Sequence, residues 1–77
     1  MVMRTYIEQY VVDNVKKMRD KAGMSQREFA DAINLSSGYV GDIEAGRKGA
    51  KYNLNHIYEI AKVFKCSPRD FLPEKAL

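Results

Sequence analysis

Apolar positions recur along this chain at helical intervals. From Tyr6 to Ala22 they fall at Ile7, Val11, Val15, Met18 and Ala22, steps of four and three that mark one face of a long helix, with Glu8, Asp13, Lys16, Lys17, Asp20 and Lys21 opposite. Gly23 follows as a C-terminal stop. Tyr6, Tyr10 and Val12 lie off that stripe and widen the front of the helix, a surplus that packing or contact with a second copy would use. A second pattern, Gln26 to Ile33, sets Phe29, Ala30 and Ile33 on one face behind Ser25 as N-cap, and a third starts after Ser36 and carries Val40 and Ile43. Asn53 caps a fourth that runs to about Lys65 with Leu54, Ile57, Tyr58, Ala61 and Phe64 inward. Ser67-Pro68-Arg69-Asp70 opens a fifth with a cap, a proline at the first helical position and an acid at the third; Phe71 and Leu72 plug the core and Pro73 ends it. The predicted fold class is all-α, with five helices around one core of Phe29, Ala30, Ile33, Val40, Ile43, Leu54, Ile57, Ala61, Phe64 and Phe71.

Between the second and third helices the chain must reverse. Asn34 stands there, and after glycine asparagine is the residue that best tolerates the left-handed region, so Asn34-Leu35 reads as a turn. Ala30 is small where two steeply crossing helices would otherwise collide. Together these features describe a helix-turn-helix.

The spacing of Ser25-Gln26, Phe29-Ala30, Ile33, Leu35, Val40, Ile43-Glu44 and Gly46 resembles the DNA-binding domains of the phage Cro and repressor (XRE-like) family. Downstream, Leu54, Ile57, Ala61, Phe64 and Ser67 to Leu72 resemble its fourth and fifth helices, so the likeness covers roughly Val11 to Leu72. The resemblance implies a five-helix repressor-type domain whose motif lies at helices 2 and 3, with the recognition helix Ser37 to Glu44 in the major groove. Carried over position by position, it implies base-facing Ser37, Gly38 and Asp42, with Tyr39 at the groove edge. Phosphate contacts fall to Gln26 and Arg27 at the start of helix 2, and a structural ion pair joins Arg19 to Glu44. This chain departs from the pattern in three places. No proline precedes helix 4, Cys66 stands where the family commonly has valine, and the recognition helix carries small or acidic residues where strong readers of the groove carry Gln, Asn or Arg.

Composition narrows the function classes. The 77 residues make one domain, 1–77, with 5 residues at the N-terminal end and 4 at the C-terminal end expected to fray. Apolar runs are too short to span a membrane, nothing resembles a secretory signal, and a cytoplasmic location is expected. One cysteine and one histidine supply neither a disulfide nor a metal cluster, so no catalytic residue, metal or cofactor is predicted. The net charge of +3 is mild, but Arg47, Lys48 and Lys51 gather in one loop directly after the recognition helix. Such a run is often only a solvated surface; its placement favours phosphate contact, as does the free helix N-terminus at Asn53. His56, in the first turn of helix 4, lacks the neighbours that would make it a ligand. The expected partner is double-stranded DNA bound by a homodimer, with contacts from Phe71, Leu72 and Leu77 or from Tyr6 and Tyr10. A protein-interaction module, antitoxin-like or otherwise partner-binding, is the alternative, since Ser37, Gly38, Gly41 and Asp42 offer a thin readout of bases.

Overall fold

The computed structural model describes residues 4–76. Four α-helices follow in order, α1 (Tyr6–Lys21), α2 (Gln26–Ala32), α3 (Ser37–Ala45) and α4 (Leu54–Phe64), and a single 3₁₀ turn, Pro68–Phe71, closes the domain. No strand occurs among the described residues.

Local chemistry sets each start and stop. Thr5, Ser25 and Asn53 begin α1, α2 and α4 with reciprocal capping boxes to Glu8, Glu28 and His56, while Ser36 caps α3 through the Tyr39 backbone amide. Asn34 has φ 61°, the left-handed turn that its side chain tolerates. Of the ends expected to fray, Met1 to Met3 and Leu77 lie outside the described residues; Thr5 is the cap of α1, and Arg4 is hydrogen-bonded to three partners described below.

The expected fifth helix is instead one 3₁₀ turn. Ser67 caps it and Pro68 fits its first position, but Leu72 is already extended (φ −105°, ψ 151°) ahead of Pro73. The steric demand of a proline on the residue before it leaves four residues, too few for an i to i−4 ladder.

The core differs from the sequence reading at both long helices. On α1 the buried face is Val11, Val12, Val15 and Arg19, so Val12 belongs to the core while Ile7 and Ala22 are exposed. On α4 Ile57, Ile60 and Ala61 are buried; Leu54 and Tyr58, expected inward, face solvent. Phe29 is fully buried, stacked on Phe64 at 5.9 Å and met edge-on by Tyr52 at 6.4 Å. Phe71 is fully buried too, where the 3₁₀ turn packs on α1 and α4. It therefore has no surface to offer a second copy, contrary to its expected place in a dimer contact.

Candidate nucleic-acid interface

α3 is rooted by two residues and open at its N-terminal end. Val40 and Ile43 are fully buried, whereas Ser37 and Gly38 are exposed at its N-terminal end. At the other end Gly46 takes φ 73°, its N–H bonds to Ile43 O at 3.2 Å, and the Arg47 N–H bonds to Asp42 O at 2.8 Å. This six-to-one and five-to-two pairing is the Schellman closure, and the backbone reversal it needs is one glycine adopts without strain. The basic loop is thereby folded back along α3.

That reversal brings Arg47 and Lys48 onto Asp42. The Arg47 guanidinium lies 3.0 Å from Asp42 Oδ1 and the Lys48 ammonium 3.6 Å from Oδ2. Arg47 first, then Lys48, holds the Asp42 carboxyl below the usual aspartate range. Asp42, expected to face a base, is thus neutralised from within, and the cluster keeps one net positive charge. Lys51 is likewise engaged: its ammonium meets Glu8 Oε2 at 2.7 Å and its carbonyl accepts the Tyr39 hydroxyl at 3.2 Å. Lys51 also holds the Glu8 carboxyl below its ordinary range.

Behind α3 lies a shielded ion pair. Arg19 donates from Nε to Glu44 Oε2 at 2.8 Å and from Nη2 to Oε1 at 2.9 Å, a two-pronged fork, and from Nη1 to Met24 O at 2.7 Å. Gln26 adds a third bond to Glu44, donating to Oε1 at 2.9 Å. A Cβ on Gly41 would stand 3.4 Å from Gln26 Oε1 and 3.9 Å from Arg47 Nη2, ordinary van der Waals contact, so both groups lie close over the helix at this position. Arg27 on α2 is exposed.

Arg4 was invisible to sequence reasoning. Its guanidinium, carried by the segment before α1, donates to the carbonyls of Ile43 and Ala50 and to Gln9 Oε1. It therefore joins the last turn of α3 to the end of the basic loop. No spacing signal marks it, because the contact depends on how α1 crosses α3.

Asn53 and His56 close the interface. The Asn53 N–H donates to His56 Nδ1 at 3.1 Å and the His56 N–H to Asn53 Oδ1 at 2.8 Å. The imidazole meets Tyr39 and Tyr52 edge-on at 6.3 and 6.2 Å. Burial lowers the proton affinity of His56. Because the unfolded chain then binds the proton more readily, His56 contributes stability above its ordinary value of 6.5 that is lost as pH falls through the lower folded value. Melting temperature is expected to decline as pH drops from about 7 to about 5, and His56→Gln, which can still accept from Asn53, is expected to flatten that decline. Identical pH profiles for the two proteins would remove His56 as the cause.

A helix-turn-helix family model (HTH_3) matches residues 15–71. The chain belongs to that family. As a helix-turn-helix protein it has solved neighbours that share its fold. The restriction-modification controller protein C.AhdI from Aeromonas hydrophila is 25% identical, with TM-score 0.69 over 82% of this chain and 92% of its own. The P22 c2 repressor, solved with a synthetic operator, is 17% identical with TM-score 0.67, covering 84% of this chain and 96% of its own. An HTH_3 family transcriptional regulator from Vibrio cholerae is 22% identical with TM-score 0.71, over 84% of this chain but only 35% of that one. A comparison with curated proteins finds no match. Family match and neighbours agree on the helix-turn-helix fold. No described helix is long and apolar enough to cross a membrane, and no described group of His, Cys, Asp or Glu could hold a metal.

Proposed function

We propose that this helix-turn-helix chain is a sequence-specific regulator that binds double-stranded DNA by setting α3 into the major groove. The observation that carries this is the mounting of α3: buried through Val40 and Ile43, it leaves Ser37 and Gly38 exposed at the end that faces bases in such units, with Arg47 and Lys48 folded alongside. Ser37 donates to or accepts from base edges, and Gly38 lets the backbone approach closely. Tyr39 contributes its ring edge at the groove wall. Asp42 serves the interface indirectly, by holding Arg47 and Lys48 beside the groove rather than by contacting a base itself. Gln26, Arg27, Arg47, Lys48, Lys51 and the N-terminus of α4 at Asn53 position the backbone. Two copies on a two-fold site, their recognition helices about 34 Å apart, supply the affinity that one thin set of contacts does not.

Selection of bound duplexes from a random pool at near-physiological salt tests this reading. The expected result is an enriched site with inverted symmetry. Failure to bind any duplex would overturn it and favour a protein partner, which the self-paired Asp42 and the short side chains of α3 suit equally.

The basic loop is proposed to give affinity without sequence information. Arg47→Ala or Lys48→Ala is expected to weaken binding to every duplex and to flatten the salt dependence by about one unit of slope. Lost discrimination with an unchanged slope would contradict the assignment.

A further inference from the structure

The basic loop between α3 and α4 is bent against the preference of its own residues. Lys48 takes φ 58°, in the left-handed region that a residue with a Cβ rarely adopts, and it stands between Gly46 at 73° and Gly49 at 66°. Such a conformation persists only where the surrounding contacts fix it. Within the loop the Ala50 N–H donates to Arg47 O at 3.1 Å and closes a turn, while Asp42 holds the side chains of Arg47 and Lys48 from the α3 side. At the far end the hold comes from the front of α1.

Arg4 Nη2 donates to Ala50 O at 3.0 Å and to Ile43 O, and Nη1 donates to Gln9 Oε1 at 3.2 Å. One guanidinium spans the loop from Ile43, in the last turn of α3, to the buried Ala50 where the loop ends. Its positive charge sits at a helix C-terminus, the sign that the helix dipole favours. The next residue, Thr5, is fixed as the N-cap of α1 by its reciprocal bonds with Glu8, and Glu8 Oε2 takes the Lys51 ammonium at 2.7 Å. The start of α1 therefore grips residues 43, 50 and 51 together. Arg4 Nε is buried and Nη2 already serves two carbonyls, so this guanidinium has little left to offer a phosphate.

We infer that Arg4 is a positioning residue for the basic loop: by stapling Ala50 to the last turn of α3 it keeps Arg47 and Lys48 in the bent arrangement that meets phosphates, without touching DNA itself. The last step rests on the proposed DNA reading. A loop already shaped need not be ordered at the moment of binding, and the ordering saved appears as affinity. Counterion release depends instead on how many cations reach phosphates. Loss of the staple therefore lowers affinity and leaves the salt slope alone, which separates it from loss of a phosphate ligand.

The first arm of the test needs no DNA. In the full chain with Arg4→Ala, the Ala50 amide is expected to exchange with deuterium at least about tenfold faster than in wild type, while the core amides of Val15 and Ile60 change far less. Arg4→Met keeps an apolar stem without donors and is expected to behave as Arg4→Ala does. An unchanged Ala50 amide, equal acceleration at all three amides, or wild-type behaviour of Arg4→Met overturns the inference. In the second arm both variants are expected to bind every duplex about fivefold more weakly with the wild-type salt slope. A slope flattened by about one unit would make Arg4 a phosphate ligand, and an opened loop with unchanged affinity would mean that its shape is irrelevant to binding; either result overturns the inference. If wild type binds no duplex while both variants open the loop, the DNA reading alone falls and the hold of Arg4 on the loop stands.

Discussion

Arg19→Ala is expected to cost about 3–5 kcal/mol of unfolding free energy, and Arg19→Ala with Glu44→Ala to cost less than that single change. The Glu44 side chain is only 4% exposed and that of Arg19 10%, so deleting the guanidinium strands a carboxylate that water scarcely reaches. Met24 O loses its donor as well. Removing both partners withdraws the stranded charge, and an apolar pair such as Arg19→Met with Glu44→Leu is expected to recover most of the loss. At roughly 0.05–0.15 kcal/mol per residue for a folded domain, the single variant stands close to complete unfolding. Urea denaturation of the four proteins measures this, and equal losses for the single and double alanine variants would show that solvent already screens Glu44.

Asp42→Asn is expected to strengthen binding to every duplex, by about tenfold at low salt, and to steepen the salt dependence by about one unit. A base-reading residue would ordinarily lose affinity on such a change. Here Arg47 and Lys48 are held on the Asp42 carboxylate, and neutralising it frees them for phosphates. Both cations are well exposed, so the ion pairs contribute little to folding and the melting temperature should move only slightly. Filter binding or fluorescence anisotropy over a range of salt reads both quantities. Weaker binding with an unchanged slope would mean instead that Asp42 itself contacts the DNA.

Local rules made much of this molecule legible. Ser25, Ser36, Asn53 and Ser67 cap the elements they precede, and Asn34 and Gly46 turn the chain where their φ angles of 61° and 73° require. Errors arose where a stripe had to be assigned to a neighbour. On α4 the sequence offers Leu54-Ile57-Tyr58-Ala61 and Ile57-Ile60-Ala61-Phe64 as rival faces, and tertiary packing, by the 3₁₀ turn and by Phe29 on Phe64, selects the second. Greater weight on the β-branched Ile60 over a tyrosine with a polar tip would have found it. On α1 the buried face rotates toward Val12, and Ile7 projects past the reach of the core. The partners of Asp42 were out of reach for a different reason. They lie five and six residues on, off any helical face, and meet it only because Gly46 reverses the chain.

The closing turn has a consequence for synthesis. Phe71 fills the space between α1 and α4, yet it follows α1 only after the whole helix-turn-helix and α4 have been made. Such a contact between distant parts of the chain forms late, because a long loop must close before burial rewards it. While Phe71 is still inside the ribosome tunnel, α1 and α4 lack the turn that packs on both of them. A nascent chain therefore carries α3 on an open scaffold until translation has delivered the 3₁₀ turn.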